Sequence, residues 1–304
     1  MTATNNPESM AEMRIWPDAV MRALGALPLP LLRAVGAVLG VGLYAAVGQR
    51  RRVVQTNLRL CFPQWTPAHR ERVARGVFIA FAQSWLDRGW LWQAPQAVLR
   101  RRLRLSDPQG VLSQPGPTVL FAPHFVGLDA GWTRLALEPH LRLQTIYTQQ
   151  SDPAVDRWVR AGRARLGQVT LYQRVDGVKR LIKSMRDGHW LYLLPDMNFG
   201  AEESIFVPFY GVPAATVPSL PRFAALAQAR VVPIVTTMTP QGYEVRVLPP
   251  WQDYPGTDLQ ADTALMNRRL QDWIDAQPDQ YFWVHQRFKS RPAGEPPLYG
   301  EGQF

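Results

Sequence analysis

An α/β fold is predicted: a single domain in which a mostly parallel or mixed central sheet is flanked by helices, preceded by an N-terminal apolar membrane-anchoring helix. Three observations predict it. Short apolar runs at 118–122, 190–194 and 231–237 have the length and composition of buried strands. Segments of helical periodicity lie between them, and strands that alternate with helices argue a sheet covered on both faces. Residues 49–304 contain no linker-like stretch, so the only division expected is between an anchor over 1–48 and one folded domain.

The balance of the chain narrows its class. A net charge of +10 in 304 residues points to an anionic partner: nucleic acid, acidic lipid or an acidic protein. Cys61 is the single cysteine, which excludes an internal disulfide framework and fits a reducing compartment. It also leaves no Cys/His zinc pattern. No glycine-rich phosphate loop appears, so neither a nucleotide nor a dinucleotide cofactor is implied.

Residues 1–13 are polar and read as disordered. Residues 23–48 are the most apolar segment, broken by Pro28, Pro30 and Arg33. The uninterrupted part, 34–48, is 15 residues, short of the ~20 that cross a bilayer as a helix. Extending it back over Arg33 supplies the length but puts a cation in mid-span, which costs roughly 2.5–3.5 kcal/mol on insertion scales. The segment therefore reads as a shallowly inserted or singly spanning anchor, with a buried core helix as the alternative. Arg50, Arg51 and Arg52 follow at once, and such a basic flank stays on the cytoplasmic side.

Thr66 caps a polar helix over 66–75, with Pro67 at its first position. Phe78, Phe81, Trp85 and Trp92 then recur at helical spacing, as core or as a face dipped into the lipid interface. Arg100, Arg101, Arg102 and Arg104 form a basic run, a solvated surface or a bilayer contact. After the run at 118–122 come a helix from about Leu128, a strand over 141–147 and a helix over 152–167 capped by Asp152. A helix over 175–188 precedes the strand at 190–194, whose turn carries Asp196. Residues 206–213 read as an aromatic loop, 217–229 as a helix, 243–247 as a strand and 261–276 as the last helix.

Chemistry is concentrated where Pro123 ends the first of these strands, because proline has no N–H for the ladder. His124 falls at the strand's carboxyl end and Asp129 in the first turn of the following helix. Five positions apart on one helix, the two would diverge; across a strand-to-helix turn they can converge. A carboxylate on one imidazole nitrogen fixes the tautomer and stabilises the imidazolium when the other nitrogen takes a proton. No serine or cysteine stands beside them as a nucleophile, so the proton comes from the substrate's own hydroxyl. A lone His-x4-acid arises readily by chance, and the motif carries little weight alone. Asp196, at another strand end, is a site candidate or an ordinary turn former.

Several further stretches occur in a fixed order: Asn57-Leu-Arg-Leu-Cys-Phe-Pro63, Gly162-Arg163-Ala-Arg165, Pro195-Asp196 with Phe199-Gly200, Phe206-Val-Pro-Phe-Tyr-Gly211 and Ala214-Ala-Thr216. Tyr281-Phe-Trp-Val-His-Gln-Arg-Phe-Lys289 and Arg291-Pro292 complete the set. With His124-Phe-Val-Gly-Leu-Asp129 these make the chain, over about residues 20–298, resemble the late acyltransferases of lipid A biosynthesis. Members often carry Glu where this chain has Asp129, a shorter acid that alters the reach of the pair.

The resemblance implies a glycerolphosphate acyltransferase-like fold and transfer of a fatty acyl chain from acyl carrier protein to a hydroxyl of a lipid A precursor. That chemistry calls for no cofactor and no metal. Both partners are anionic, which accounts for the basic balance without nucleic acid, and the setting is the cytoplasmic face of the inner membrane. His124 is the expected base and Asp129 its partner. Arg163, then Arg174, are candidates for an oxyanion donor or for phosphate binding; Arg287 and Lys289 are candidates for phosphate or carrier-protein contact. Asp196 is expected to shape the site, and His285, among aromatics, to be structural. An acyltransferase acting on a lysophospholipid or glycerol phosphate is the alternative.

Overall fold

Val119, Leu120 and Phe121 have no exposed surface, the burial on both faces that a central parallel strand requires. A computed structural model describes residues 16–300; the polar start expected over 1–13 lies outside the described residues. Five helices come first: α1 (Trp16–Gly25), α2 (Leu29–Ala46), α3 (Gly48–Cys61), α4 (Pro67–Leu91) and α5 (Gln96–Arg102). The alternating part runs β1 (Leu103–Ser106), β2 (Thr118–Phe121), α6 (Leu128–Ala136), β3 (Arg142–Ile146), α7 (Pro153–Arg163), β4 (Gln168–Tyr172), α8 (Val178–Arg186) and β5 (His189–Leu193). It continues through β6 (Ile205–Phe209), β7 (Val212–Thr216), α9 (Ser219–Ala227), β8 (Arg230–Thr239), β9 (Gly242–Val247) and α10 (Leu259–Ala276).

Seven strands form one sheet in the order β1-β9-β8-β2-β5-β3-β4, parallel throughout except for the β8–β9 pair. Successive side chains point to opposite faces. Val119 and Phe121 accordingly join Leu181, Leu220, Phe223 and Leu270 in the core under α8, α9 and α10. Leu120 joins Trp132, Leu135 and Tyr192 in the core under α6. The predicted mixed α/β sheet is present.

Residues 206–213, expected as an aromatic loop, lie in a hairpin of β6 and β7 instead. Tyr210 and Gly211 both have positive φ, 51° and 76°, the geometry that closes a two-residue turn. Pro208 and Pro213 face each other across it, one step from the closing pair Phe209–Val212. At that step of an antiparallel ladder neither residue donates to the other, so the prolines interrupt nothing. The helix expected over 66–75 continues to Leu91 as α4, capped by the Thr66 hydroxyl on the His69 N–H. Its aromatic stripe turns inward: Phe78 packs edge-on against Tyr44, and Phe81 against Phe282.

The apolar helix α2 lies along α4 over its whole length. Leu29, Leu32, Gly36, Gly40 and Tyr44 form its buried stripe. A Cβ on Gly40 would come within 2.4 Å of the Ile79 backbone, so only glycine allows this approach. Arg33, the cation that argued against insertion, is turned inward and paired with buried Asp87 at 2.7 Å. Asp87 also accepts from the Trp90 indole and the Tyr243 hydroxyl. Burying Leu32 alone is worth about 1.5–3 kcal/mol. The opposite face leaves Leu31, Val38, Leu39, Val41 and Leu43 exposed. Its 18 residues have a mean hydropathy of 1.7, sufficient by length and composition to cross a membrane.

Candidate active site

The ends of β2 and β5 are built alike. Phe121-Ala-Pro-His124 and Leu193-Leu-Pro-Asp196 each leave the sheet through a proline two residues past the strand. The strands pair with Val119 opposite Leu191 and Phe121 opposite Leu193, and the same register carried three residues further sets His124 beside Asp196. The His124 imidazole Nδ1 lies 2.7 Å from Asp196 Oδ1, and the His124 backbone N–H donates to Oδ2 at 3.0 Å. Asp196 is fully buried, while the His124 side chain keeps 19% of its surface. The Tyr281 hydroxyl donates to Asp196 Oδ2 at 3.0 Å. Burial opposes ionisation of Asp196, but the His124 ring, its N–H and this hydroxyl outweigh it and hold the carboxyl below its ordinary range.

An ionised Asp196 makes Nδ1 the protonated nitrogen and leaves Nε2 as acceptor. Among the described residues nothing hydrogen-bonds Nε2. The imidazole is thus held at one end and open at the other, the arrangement of a general base.

Asp129 does not hold His124. Both of its oxygens are taken by arginines: Oδ1 by Arg163 Nε at 2.8 Å, Oδ2 by Arg88 Nε and Nη2 at 2.8 Å. Its place in the first turn of α6 points it toward α4 and α7 rather than back toward the strand end. Burial raises its pKa, yet the two guanidinium groups prevail and bring it down to about 2. The expected His124–Asp129 contact is therefore replaced by His124–Asp196 and by a separate Arg88–Asp129–Arg163 cluster. Nothing in the sequence singled out Arg88. The signal for Asp196 was legible: two apolar runs, each closed by Pro and followed by a titratable residue.

Arg163 keeps 20% of its side-chain surface, and among the described residues its terminal nitrogens carry no hydrogen bond. Its own carbonyl is anchored by the Trp132 indole at 2.8 Å. Arg174 sits in a short turn after β4; its side chain lies outside the described residues. Lys289 is exposed on the tail. Arg287 is not a surface cation: it is 2% exposed and donates to the Ala215 carbonyl and the Thr216 hydroxyl, each at 2.7 Å. That fixes the tail to β7 and removes Arg287 from any phosphate or carrier-protein contact. His285 accepts the Asn198 N–H through Nε2. Burial, with the nearby Arg287 charge, lowers its pKa to about 3, so it stays neutral beneath the Asp196 turn.

The tail itself braces His124. Phe282 N–H donates to the His124 carbonyl, and Phe125 bridges to Tyr281. Asn57 receives the tail in turn, donating to the Trp283 and His285 carbonyls at 2.8 Å. The separated sequence blocks around 57, 124, 196 and 281–289 thus meet at one place.

Comparison with known proteins places the whole chain in one family. Residues 11–290 match the model of the family described as bacterial lipid A biosynthesis acyltransferase. The chain is 30% identical over 281 residues to the lipid A biosynthesis lauroyltransferase of Escherichia coli K12, covering 90% of each. It is 28% identical over 277 residues to a lipid A biosynthesis acyltransferase of Haemophilus influenzae, covering 90% of this chain and 86% of that one. A third relative, the lipid A biosynthesis myristoyltransferase of E. coli K12, is 30% identical over 254 residues, or 81% of this chain and 77% of its own. With the family model spanning nearly the whole chain and a relative 30% identical over 90% of it, this protein belongs to the bacterial lipid A biosynthesis acyltransferases.

Proposed function

We propose that the enzyme transfers a fatty acyl chain directly from an acyl carrier protein thioester to a hydroxyl of a lipid A precursor, with His124 as general base oriented by Asp196. The observation that carries this reading is the solvent-accessible end of an imidazole whose other end is tied to a buried carboxylate. Nε2 takes the proton from the acceptor hydroxyl as its oxygen attacks the thioester carbonyl. The tetrahedral oxyanion collapses, the C–S bond breaks, and the proton returns from Nε2 to the departing thiolate. Asp196 keeps Nδ1 protonated and stabilises the imidazolium formed on the way. No covalent enzyme intermediate is required.

The terminal nitrogens of Arg163, without a hydrogen bond among the described residues, are candidate donors for the oxyanion or for an acceptor phosphate, with Asp129 holding the guanidinium from its Nε side. Arg174 and Lys289 remain candidates for phosphate contact. The exposed stripe of α2 would rest in the cytoplasmic leaflet of the inner membrane, with the helix in the plane of the surface because its other face belongs to α4. Incubating the enzyme with labelled acyl carrier protein and a panel of lipid A precursor, lysophospholipid and glycerol phosphate tests the reading. Transfer to the lipid A precursor, lost in His124→Ala, is expected; transfer to another acceptor alone overturns it.

A further inference from the structure

We propose that the outer face of α8 is the docking surface for the acidic carrier protein that presents the acyl thioester, an inference that rests on the donor proposed above. α8 buries Leu181, Ile182 and Met185 and exposes Lys179, Arg180, Lys183 and Arg186. The 3.6-residue period gathers these four cations on one side, and the helix contains no carboxylate. Of the two acids that flank it, Asp176 accepts the Gln173 N–H and Asp187 stands at the C-terminal cap. Val178 and Val175, 52% and 86% exposed, flank the first turn. A basic strip headed by bare apolar side chains suits an acidic amphipathic helix, which offers both contacts, better than a plain polyanion.

The position of α8 fits delivery. It starts just past β4, at the same carboxyl edge of the sheet as His124 and Asp196. β5 and β3 separate β4 from β2, so the strand end from which the chain enters α8 lies about 14 Å from the strand that carries His124, at ~4.8 Å per strand. A phosphopantetheine arm spans that distance.

Two other helices carry cations without acids, but they stand elsewhere. Arg51, on α3, donates to the Tyr44 and Ala45 carbonyls at the end of the lipid-facing helix. α5, with Arg100, Arg101 and Arg102, leads into β1 at the opposite margin of the sheet from β4. The basic surface is thereby divided among α3, next to the apolar helix, α5 at one margin of the sheet and α8 near the other. A membrane-bound acceptor and a soluble donor need just such separate approaches.

The test is steady-state kinetics of the full chain and of the double variant Lys179→Glu/Lys183→Glu. Each is measured with acyl carrier protein and with an acyl-pantetheine thioester, at two ionic strengths. We expect kcat/KM for the carrier-borne donor to fall about tenfold or more and to lose its salt dependence, with acyl-pantetheine turnover unchanged. Carrier kinetics equal to wild type, or equal losses with both donors, overturn the surface. Binding of the variant to anionic vesicles is followed in parallel; if that is lost while carrier kinetics hold, α8 faces lipid instead. A wild-type enzyme that accepts acyl-pantetheine but ignores the carrier protein overturns the donor reading and the surface with it.

Discussion

His124 and Asp196 stand 72 residues apart in the chain and are joined by a 2.7 Å contact between Nδ1 and Oδ1. The pair exists because β2 and β5 are neighbours in the sheet and end in the same register. Asp196→Asn should therefore cut kcat by about 10³–10⁴, as when a catalytic imidazole loses the carboxylate that fixes its tautomer. His124→Ala should cut it at least as far. Single-turnover assays on variants with unchanged circular dichroism check both; a well-folded Asp196→Asn enzyme at near wild-type turnover would return the orienting role to another group.

Asp129→Asn should behave differently, as a stability defect that carries activity down with it. It strips the counter-charge from Arg88 and Arg163, and breaking a buried pair costs about 3–5 kcal/mol. Thermal melts of this variant should fall markedly, whereas Asp196→Asn should melt closer to wild type.

The same carboxylate gives a pH signature. Its folded pKa of about 2 lies below the ordinary 3.8, so its contribution is present above pH 4 and is lost as pH falls through about 2. A depression of that size is worth on the order of 2 kcal/mol. The stability gap between wild type and Asp129→Asn should be constant near neutrality and narrow between pH 4 and pH 2. A gap that does not narrow in acid denaturation curves would mean the carboxylate is not ionised in the fold.

Arg287→Ala should lower stability by about 2–4 kcal/mol, because it leaves the Ala215 carbonyl and the Thr216 hydroxyl without their buried donor. Its residual activity should show no altered dependence on salt. Denaturant titration paired with kinetics at two ionic strengths separates this from a surface contact.

Val38→Asp/Val41→Asp on the exposed side of α2 should release the protein from anionic vesicles while changing stability by less than about 0.5 kcal/mol per site. Gly40→Leu, on the other side of the same helix, should do the reverse and unfold the α2–α4 contact. Flotation and thermal melts on both variants report the two faces independently.

Much of this was legible in the chain because it is local. The turn at Pro123 that exposes His124, the Thr66 and Asp152 caps and the buried strands all depend on neighbours a few residues away. The pairing of His124 with Asp196 was not, although both strand ends were marked, because a contact between β2 and β5 depends on strand order, and a five-residue spacing drew attention to Asp129 instead. Arg287 misled for a related reason: a basic residue in an aromatic tail looks solvated until the β6–β7 hairpin, itself hidden by two prolines, is seen to cover it. β4 was lost because Gln168–Tyr172 is a short edge strand whose polar start resembles the end of a helix. The family blocks marked which segments matter without saying which of them touch.

The pairing of α2 with α4 has a consequence for how the chain is made. During synthesis α2 emerges first, and the helix that receives Leu32, Gly36, Gly40 and Arg33 is translated only afterwards. In that interval the segment shows both of its sides to its surroundings and has no Asp87 to neutralise Arg33. Until α4 is made it is an apolar stretch of mean hydropathy 1.7 with no partner of its own, and its buried side is fixed only when α4 claims it.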